Sequence, residues 1–328
     1  MKSDGSSPLA LTVNMDKVPL FEHLILPPNL QAKFSGDISG TLPISYNNNQ
    51  LTIQNATMRS SGGGSFTLNN RTNQSGNTKL TRTDQQTTYS FKEPEVTFSR
   101  LANGATTVDF ALKEFHQKSG SNEFEFAKPK GTIRFAENPQ APDLMRLSNF
   151  STNFFGGTVT INDFVYDVKK QEGETTVQLS NMPLQKLLDL QGTKKVYATG
   201  ALKGNIPIKL TNGKVEIPDG ALLSQESGQI IYATSAEERA AAHQSLRTTY
   251  DVLSNFLYQQ LSTTLSMTPD GQSTLAIRLK GTNPDMYGKR PIELNLNVQQ
   301  NLLDLMRTLS ISSEIEQAIS DKTTQQKK

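Results

Sequence analysis

The sequence predicts a mainly β chain built from sequential antiparallel hairpins, with a few short amphipathic helices towards its C-terminus. Three observations predict it. Apolar and polar residues alternate with period two over most of the chain, the pattern of a strand with one face towards a core. Tight-turn chemistry falls between the alternating runs. A stretch of about fifty residues also recurs without a gap, so the backbone architecture is repeated.

In chain order, Met1–Pro8 is polar, and residues 1–10 read as a linker stub. The clearest strand runs are Val108/Phe110/Leu112, Ile206/Ile208/Leu210, Leu275/Ile277/Leu279 and Ile292/Leu294/Leu296/Val298. Asn212-Gly213 separates Ile206–Leu210 from Val215/Ile217, and Pro269-Asp270-Gly271 separates Leu261–Met267 from Leu275. Both turns carry residues that tolerate the positive φ of a tight hairpin. Helical spacing is confined to a few places. Leu184–Leu190 predicts a turn or two, and Ala236–Leu261 predicts a longer helix with Leu246, Tyr250, Leu253, Leu257 and Leu261 on one face. Asn301–Thr308 and Ser313–Ser320 predict two short helices, the second opening on Ser313 and Glu316 in a capping box. The polar tail Asp321–Lys328 is expected to fray.

Residues 18–68 align onto residues 182–232 at a constant offset of 164. Pro19-Leu20, Leu24, Gly36, Gly40 and Pro43-Ile44 match Pro183-Leu184, Leu188, Gly200, Gly204 and Pro207-Ile208. Ile53 then matches Ile217, and Gly64 matches Gly228. Shared glycines and prolines mark shared backbone constraints. Past residue 68 the sequence match fades, and the 236–261 helix has no counterpart in the first half. The expected organisation is a first β-repeat unit over 11–175, a second over 176–322, and a frayed tail over 323–328.

Composition excludes several functions. The formal net charge is +2, from 33 basic and 31 acidic residues, with no basic cluster suited to counterion release from nucleic acid. Cysteine is absent, which removes disulfides, thiolate metal sites and cysteine nucleophiles. His23, His116 and His243 stand far apart without metal-ligand spacing, so neither a metal nor any other cofactor is expected. No apolar run approaches the ~18 residues that span a bilayer. Ser61-Gly62-Gly63-Gly64-Ser65 lacks the lysine and following helix of a phosphate loop, and reads as a strand bend, as does Phe155-Gly156-Gly157. No G-x-S-x-G elbow occurs. Three glycosylation sequons, at Asn55, Asn70 and Asn149, are short enough to arise by chance.

The apolar strand faces must be covered by something. A second sheet would give a dry sandwich; a curved sheet would leave an open apolar groove. Period two does not distinguish these, and both stay open. The 236–261 helix likewise has two readings, a cap packed over an open end of the sheet or a movable plug. Pro291–Val298 is the candidate edge for strand addition, through Ile292, Leu294, Leu296 and Val298.

Several segments in the C-terminal half carry a resemblance. They are Met182-Pro183-Leu184, the run from Gly200 to Ile208, Gly228-Gln229-Ile230-Ile231-Tyr232, Leu253–Tyr258, Leu279–Asp285, Gly288–Val298 and Glu316–Ser320. In this order and spacing they resemble the C-terminal region of the YdbH family, AsmA-like proteins once labelled a dicarboxylate-transport domain. The resemblance covers about residues 180–322, and the first half more loosely through the repeat.

It implies a periplasmic protein of a Gram-negative bacterium, anchored in the inner membrane by an N-terminal helix and meeting membranes at both ends. Its long sheet would fold like a taco around a hydrophobic groove that carries phospholipid. A small outer-membrane lipoprotein would join by strand addition at the C-terminal end. By alternation and analogy the groove lining is Leu202, Ile206, Ile208, Val215, Ile217, Leu275, Ile277, Leu279, Leu294, Leu296 and Val298. The dicarboxylate label fits poorly, because no arginine pair stands ready to clamp two carboxylates. Two other classes remain, a structural or adhesive sandwich and a hydrolase on a β-scaffold. The hydrolase would need paired carboxylates, of which Glu114 and Glu125 are the candidates.

Overall fold

A computed structural model describes residues 9–19, 32–72, 83–119, 122–137, 140–141, 143–189, 195–286 and 290–303. The chain is mainly β, with nineteen strands and three helices among these residues, and every recorded ladder is antiparallel. Two compact units result: unit 1 takes residues 1–152, 162–169 and 310–328, and unit 2 takes 153–161 and 170–309.

Unit 1 contains β1 (Leu9–Pro19), β2 (Ala32–Asn47), β3 (Gln50–Arg59), β4 (Gly64–Thr72), β5 (Thr83–Lys92), β6 (Glu95–Arg100), β7 (Thr106–Ala111), β8 (Glu114–Ser119) and β9 (Asn122–Phe135). Most of β10 (Leu144–Phe154) also belongs to it, and β11 (Gly157–Asp167) is divided between the units. The pairings separate unit 1 into two leaves. The C-terminal half of β2 pairs with β1 and β3, and the ladder continues through β6 and β7 to residues 130–135 of β9. The N-terminal end of β2 pairs with β4, and that ladder continues through β5 and β8 to residues 122–127 of β9.

The leaves join along a crease where each long strand breaks. Gly36 and Gly63 have φ of 112° and 72°, and Glu93 and Lys128 are also left-handed at 44° and 54°. Backbone bonds bridge the crease: Ser60 N–H donates to the Pro94 carbonyl at 3.3 Å, Lys113 N–H to Lys92 at 3.0 Å, and Leu112 N–H to Pro129 at 2.9 Å. The prolines suit this line, where ladder donors are dispensable. Ser61–Ser65 is thus a strand bend. Phe155-Gly156, by contrast, forms a turn after β10, with φ of 50° and 83°.

Unit 2 contains β12 (Glu172–Pro183), α1 (Leu184–Asp189), β13 (Val196–Ala198), β14 (Ala201–Thr211), β15 (Lys214–Ser224) and β16 (Gly228–Tyr232). It continues with α2 (Ala236–Ala241), α3 (Gln244–Leu253), β17 (Phe256–Met267), β18 (Gln272–Thr282) and β19 (Ile292–Asn301). One leaf runs β12-β14-β15-β17-β18-β19 and the other pairs β13, β16 and the start of β17.

The repeat is repeated in register, not only in sequence. Leu9 pairs with Tyr46 and Gly173 with Leu210; the bulge between Met15 and Val18 recurs between Leu179 and Met182. Lys17 and Asn181, at the same repeat position, both have φ near 50°. The correspondence also runs beyond residue 68, where the sequence match fades. Leu265 pairs with Leu275 and that with Val298, as Phe98 pairs with Val108 and that with Ile133. Backbone pairing keeps what side-chain identity loses, because the ladder depends on spacing and handedness more than on residue type.

The predicted 236–261 helix is corrected. Ala242 is extended and closes α2, His243 opens α3, and the helix ends at Leu253. Leu257 and Leu261 lie in β17 instead. Their spacing matches a helix, but Phe256, Tyr258 and Leu261 bury against the other strands while ladder bonds to β15, β16 and β18 claim the backbone. Tertiary pairing overrides local periodicity here. Ser313–Ser320, the tail and all but the first three residues of the Asn301–Thr308 helix lie outside the described residues.

Candidate functional site

In unit 2 the strand partners stack into rungs across one sheet face. Met182 pairs with Leu202, and Leu261 with Leu279, which pairs with Leu294. Leu222 pairs with Thr263, which pairs with Ile277, which pairs with Leu296. A third rung joins Leu265, Leu275 and Val298, reached from Gly220 and from Ile206, which pairs with Val177. Ile208 and Ile217 lie next along β14 and β15 on the same face. Directly paired residues share a face and alternate residues return to it.

The apolar face carries no charge at the described rung positions. Lys203, Lys209, Glu216, Arg278, Lys280 and Glu293 project from the opposite face, where Arg278 Nε donates to Glu293 Oε1 at 2.7 Å.

The apolar face is covered unevenly. At the crease, Met182, Leu202, Phe256, Tyr258, Leu261 and Leu279 are buried under Leu184 of α1 and Val252 and Leu253 of α3. Away from it, Ile208, Ile217, Leu275 and Val298 are only half-buried, and Val215 is exposed. The crease is shaped by two glycines and one tyrosine. A Cβ on Gly200 would lie 2.1 Å from the Tyr258 Oη, and one on Gly228 2.4 Å from it. Tyr258 Oη–H donates to the Thr199 carbonyl at 2.7 Å, and burial pushes its phenol above the ordinary range.

Asn283, fully buried, holds the end of α3: its Nδ2 donates to the carbonyls of Asp251 at 3.0 Å and Val252 at 2.9 Å. The chain continues through Asn255, which donates to Asp285 at 2.7 Å and accepts from Gln229 at 2.7 Å. Tyr232 and Tyr250 stack with their ring centroids 5.4 Å apart.

The predicted lining residues therefore share one face, with Leu202, Ile206 and Leu279 buried and the others more open. Of the predicted plug residues, Leu253 is buried and Tyr250 half-buried on α3, whereas Leu246 is 41 % exposed. Leu257, in β17, points away from the core at 41 % exposure. In β19, Ile292, Leu294, Leu296 and Val298 are half-buried, and the recorded ladder runs to β18 from Asn301 to Ile292.

The sequence reading missed the matching surface in unit 1. Leu42, Ile44, Ile53 and Met58 hold the places of Ile206, Ile208, Ile217 and Leu222, and the 164-residue repeat could have found them. Further along are Phe98, Val108, Phe110 and Ile133. On the other leaf Phe66, Tyr89, Phe115 and Phe126 form a ring ladder with successive centroids 4.7, 5.9 and 6.1 Å apart. Among the described hydrophobic core residues of unit 1, Ile53 and Ala56 are the buried ones.

The candidate carboxylates do not form an acid–base pair. Glu114 bonds Lys92 at 2.5 Å and His116 at 3.3 Å, which hold its carboxyl below the usual range, while Glu125 lies across from His116.

A family model described as YdbH-like, intermembrane phospholipid transport protein YdbH, matches residues 122–324, more than half of the chain. The chain belongs to the YdbH-like family. The match starts in β9, well before the segments that carry the resemblance, and takes in all of unit 2. YdbH-like proteins form a lipid-transport family rather than an enzyme class, and intermembrane transport places them in the cell envelope. No curated protein matches the chain. No solved structure matches it either.

Proposed function

We propose that this chain shields phospholipid acyl chains on the apolar face of its creased sheet, for transport between the inner and outer membranes. The observation that carries the reading is the uncharged face built from β14, β15, β17, β18 and β19, on which Ile208, Ile217, Leu275 and Val298 remain half-buried away from the crease. A dry sandwich would bury those rungs. Each methylene moved from water onto such a surface gains about 0.8 kcal/mol. A phospholipid can therefore hold its tails on the leucine and isoleucine rungs while its headgroup stays in water. A lining without fixed charges gives no tight headgroup site, which favours passage over storage.

In this reading each of the two repeat units, 11–175 and 176–322, presents such a face to lipid in the periplasm. An upstream helix anchors the protein in the inner membrane. β19, whose ladder among the described residues runs to β18, is the strand to which a small outer-membrane lipoprotein would add one of its own.

The test is lipid capture by the chain expressed in bacteria. A photo-crosslinking amino acid is placed at Ile208 or Leu294 on the apolar face, and at Lys209 or Asn295 on the polar face. Phospholipid identified by mass spectrometry at the first pair, and absent from the second, is the expected result. Capture at neither pair would leave the closed sandwich as the better account.

A further inference from the structure

We infer that the α2–α3 segment is a built-in occupant of the apolar face, standing where an acyl chain would otherwise lie. In unit 2 the lipid is thereby confined to the strip through Ile208, Ile217, Leu275 and Val298. The inference rests on the lipid reading above and deepens it by saying which part of the face is available.

Three observations carry it. First, the two copies share their register, yet the same backbone positions differ in cover. Leu202 and Leu279 are 3 % and 2 % exposed, whereas Ile38 and Leu112, their counterparts in the first copy, are half-buried. Second, among the described residues the two copies differ in one connection beside the crease. Between Phe66 and Tyr89, which pair directly, the chain runs through β4 and β5; between Ile230 and Phe256, which also pair directly, it runs through α2 and α3.

Third, the segment offers little to a core of its own. No residue of α2 is buried, and on α3 only Val252 and Leu253 are. It is held to the sheet at its end by the Asn283 bonds to the Asp251 and Val252 carbonyls and by the Tyr232–Tyr250 stack, while the exposed Lys195–Glu238 ion pair is of a kind that contributes little. Its apolar contribution is thus Val252 and Leu253 in the buried cluster at the crease, with Tyr250 stacked on Tyr232 beside it.

The experiment uses a diazirine-bearing aliphatic amino acid in place of Leu275 or of Leu279. Each is placed in the full chain and in a shortened chain whose residues 235–253 are replaced by a short Gly/Ser turn. In the full chain, phospholipid is expected at position 275 and only background at 279; in the shortened chain, capture at 279 should rise to the level at 275. Capture at 279 in the full chain, or silence at 279 in a folded shortened chain that still captures at 275, overturns the inference. Silence at 275 in both chains sinks the lipid reading itself, and this inference with it.

Should the shortened chain not fold, Val252→Ala with Leu253→Ala loosens α3 in place. A bifunctional thiol reagent joining Tyr232→Cys to Tyr250→Cys pins it, and the absence of native cysteine makes that tether specific. Capture at 279 should appear in the loosened chain and be suppressed by the tether. Capture at 279 that ignores both changes overturns the inference.

Discussion

Single atoms decide the crease. A Cβ on Gly204 would lie 1.9 Å from the Ala221 carbonyl oxygen, which belongs to a paired strand and has no room to retreat. Gly204→Ala is therefore expected to cost about 3 kcal/mol, at the upper end for overpacking. Gly62→Ala, where nothing stands within 4 Å, should stay within about 0.5 kcal/mol. Denaturant midpoints of the two variants check this.

Tyr258→Phe loses the bond to the Thr199 carbonyl and should cost about 1 kcal/mol. It should also change the alkaline limb. Burial raises the Tyr258 phenol above its ordinary 10.0, so the fold favours the neutral form. That contribution is fully present below pH 10 and is lost as pH rises through the folded value. The gap between the parent and Tyr258→Phe should accordingly narrow above pH 10, measured by thermal melts; a constant gap would mean the phenol is not desolvated.

At the scale of elements, α3 depends on a side chain far from it in sequence. Asn283→Ala leaves the Asp251 and Val252 carbonyls without their buried donor, and a loss of about 2 kcal/mol is expected. Amide exchange should rise first in residues 244–253, ahead of β18 and β19.

The same element shows how far the sequence could be read. The helix start was legible, since Ser235 and Glu238 form a reciprocal capping box. Its end was not. Leu246, Tyr250, Leu253, Leu257 and Leu261 keep helical spacing throughout, and the chain leaves the helix only because β15, β16 and β18 offer Phe256–Met267 three ladders. Those partners begin at residues 214, 228 and 272, so no local window contains them.

For the whole molecule, the apolar face is expected to act as a surface rather than as a set of sites. Ile208→Asp or Leu275→Asp puts a charge where lipid tails would lie and should reduce co-purifying phospholipid by tenfold or more. Lys209→Asp, on the polar face, should leave it unchanged. Mass spectrometry of solvent extracts checks both, with melting curves to show that each variant is folded. Equal lipid in all three variants would mean that the face does not carry it.

Strand class, hairpin turns, the 164-residue repeat and the family segments were all determined by the sequence alone. Each is set by neighbours in the chain: alternation by the two-residue pleat, turns by residues that accept positive φ, and the repeat by glycines and prolines at fixed spacing. Which apolar side chains are covered was decided only by tertiary structure. Leu275 and Leu279 sit on the same strand and face with the same chemistry, yet one is half-buried and the other 2 % exposed. The difference is that Leu279 joins the buried cluster with Leu184 of α1 and with Val252 and Leu253, whose helix end Asn283 holds. Alternation tells a strand which way to face, but cover comes from other elements, and their arrival is a matter of topology.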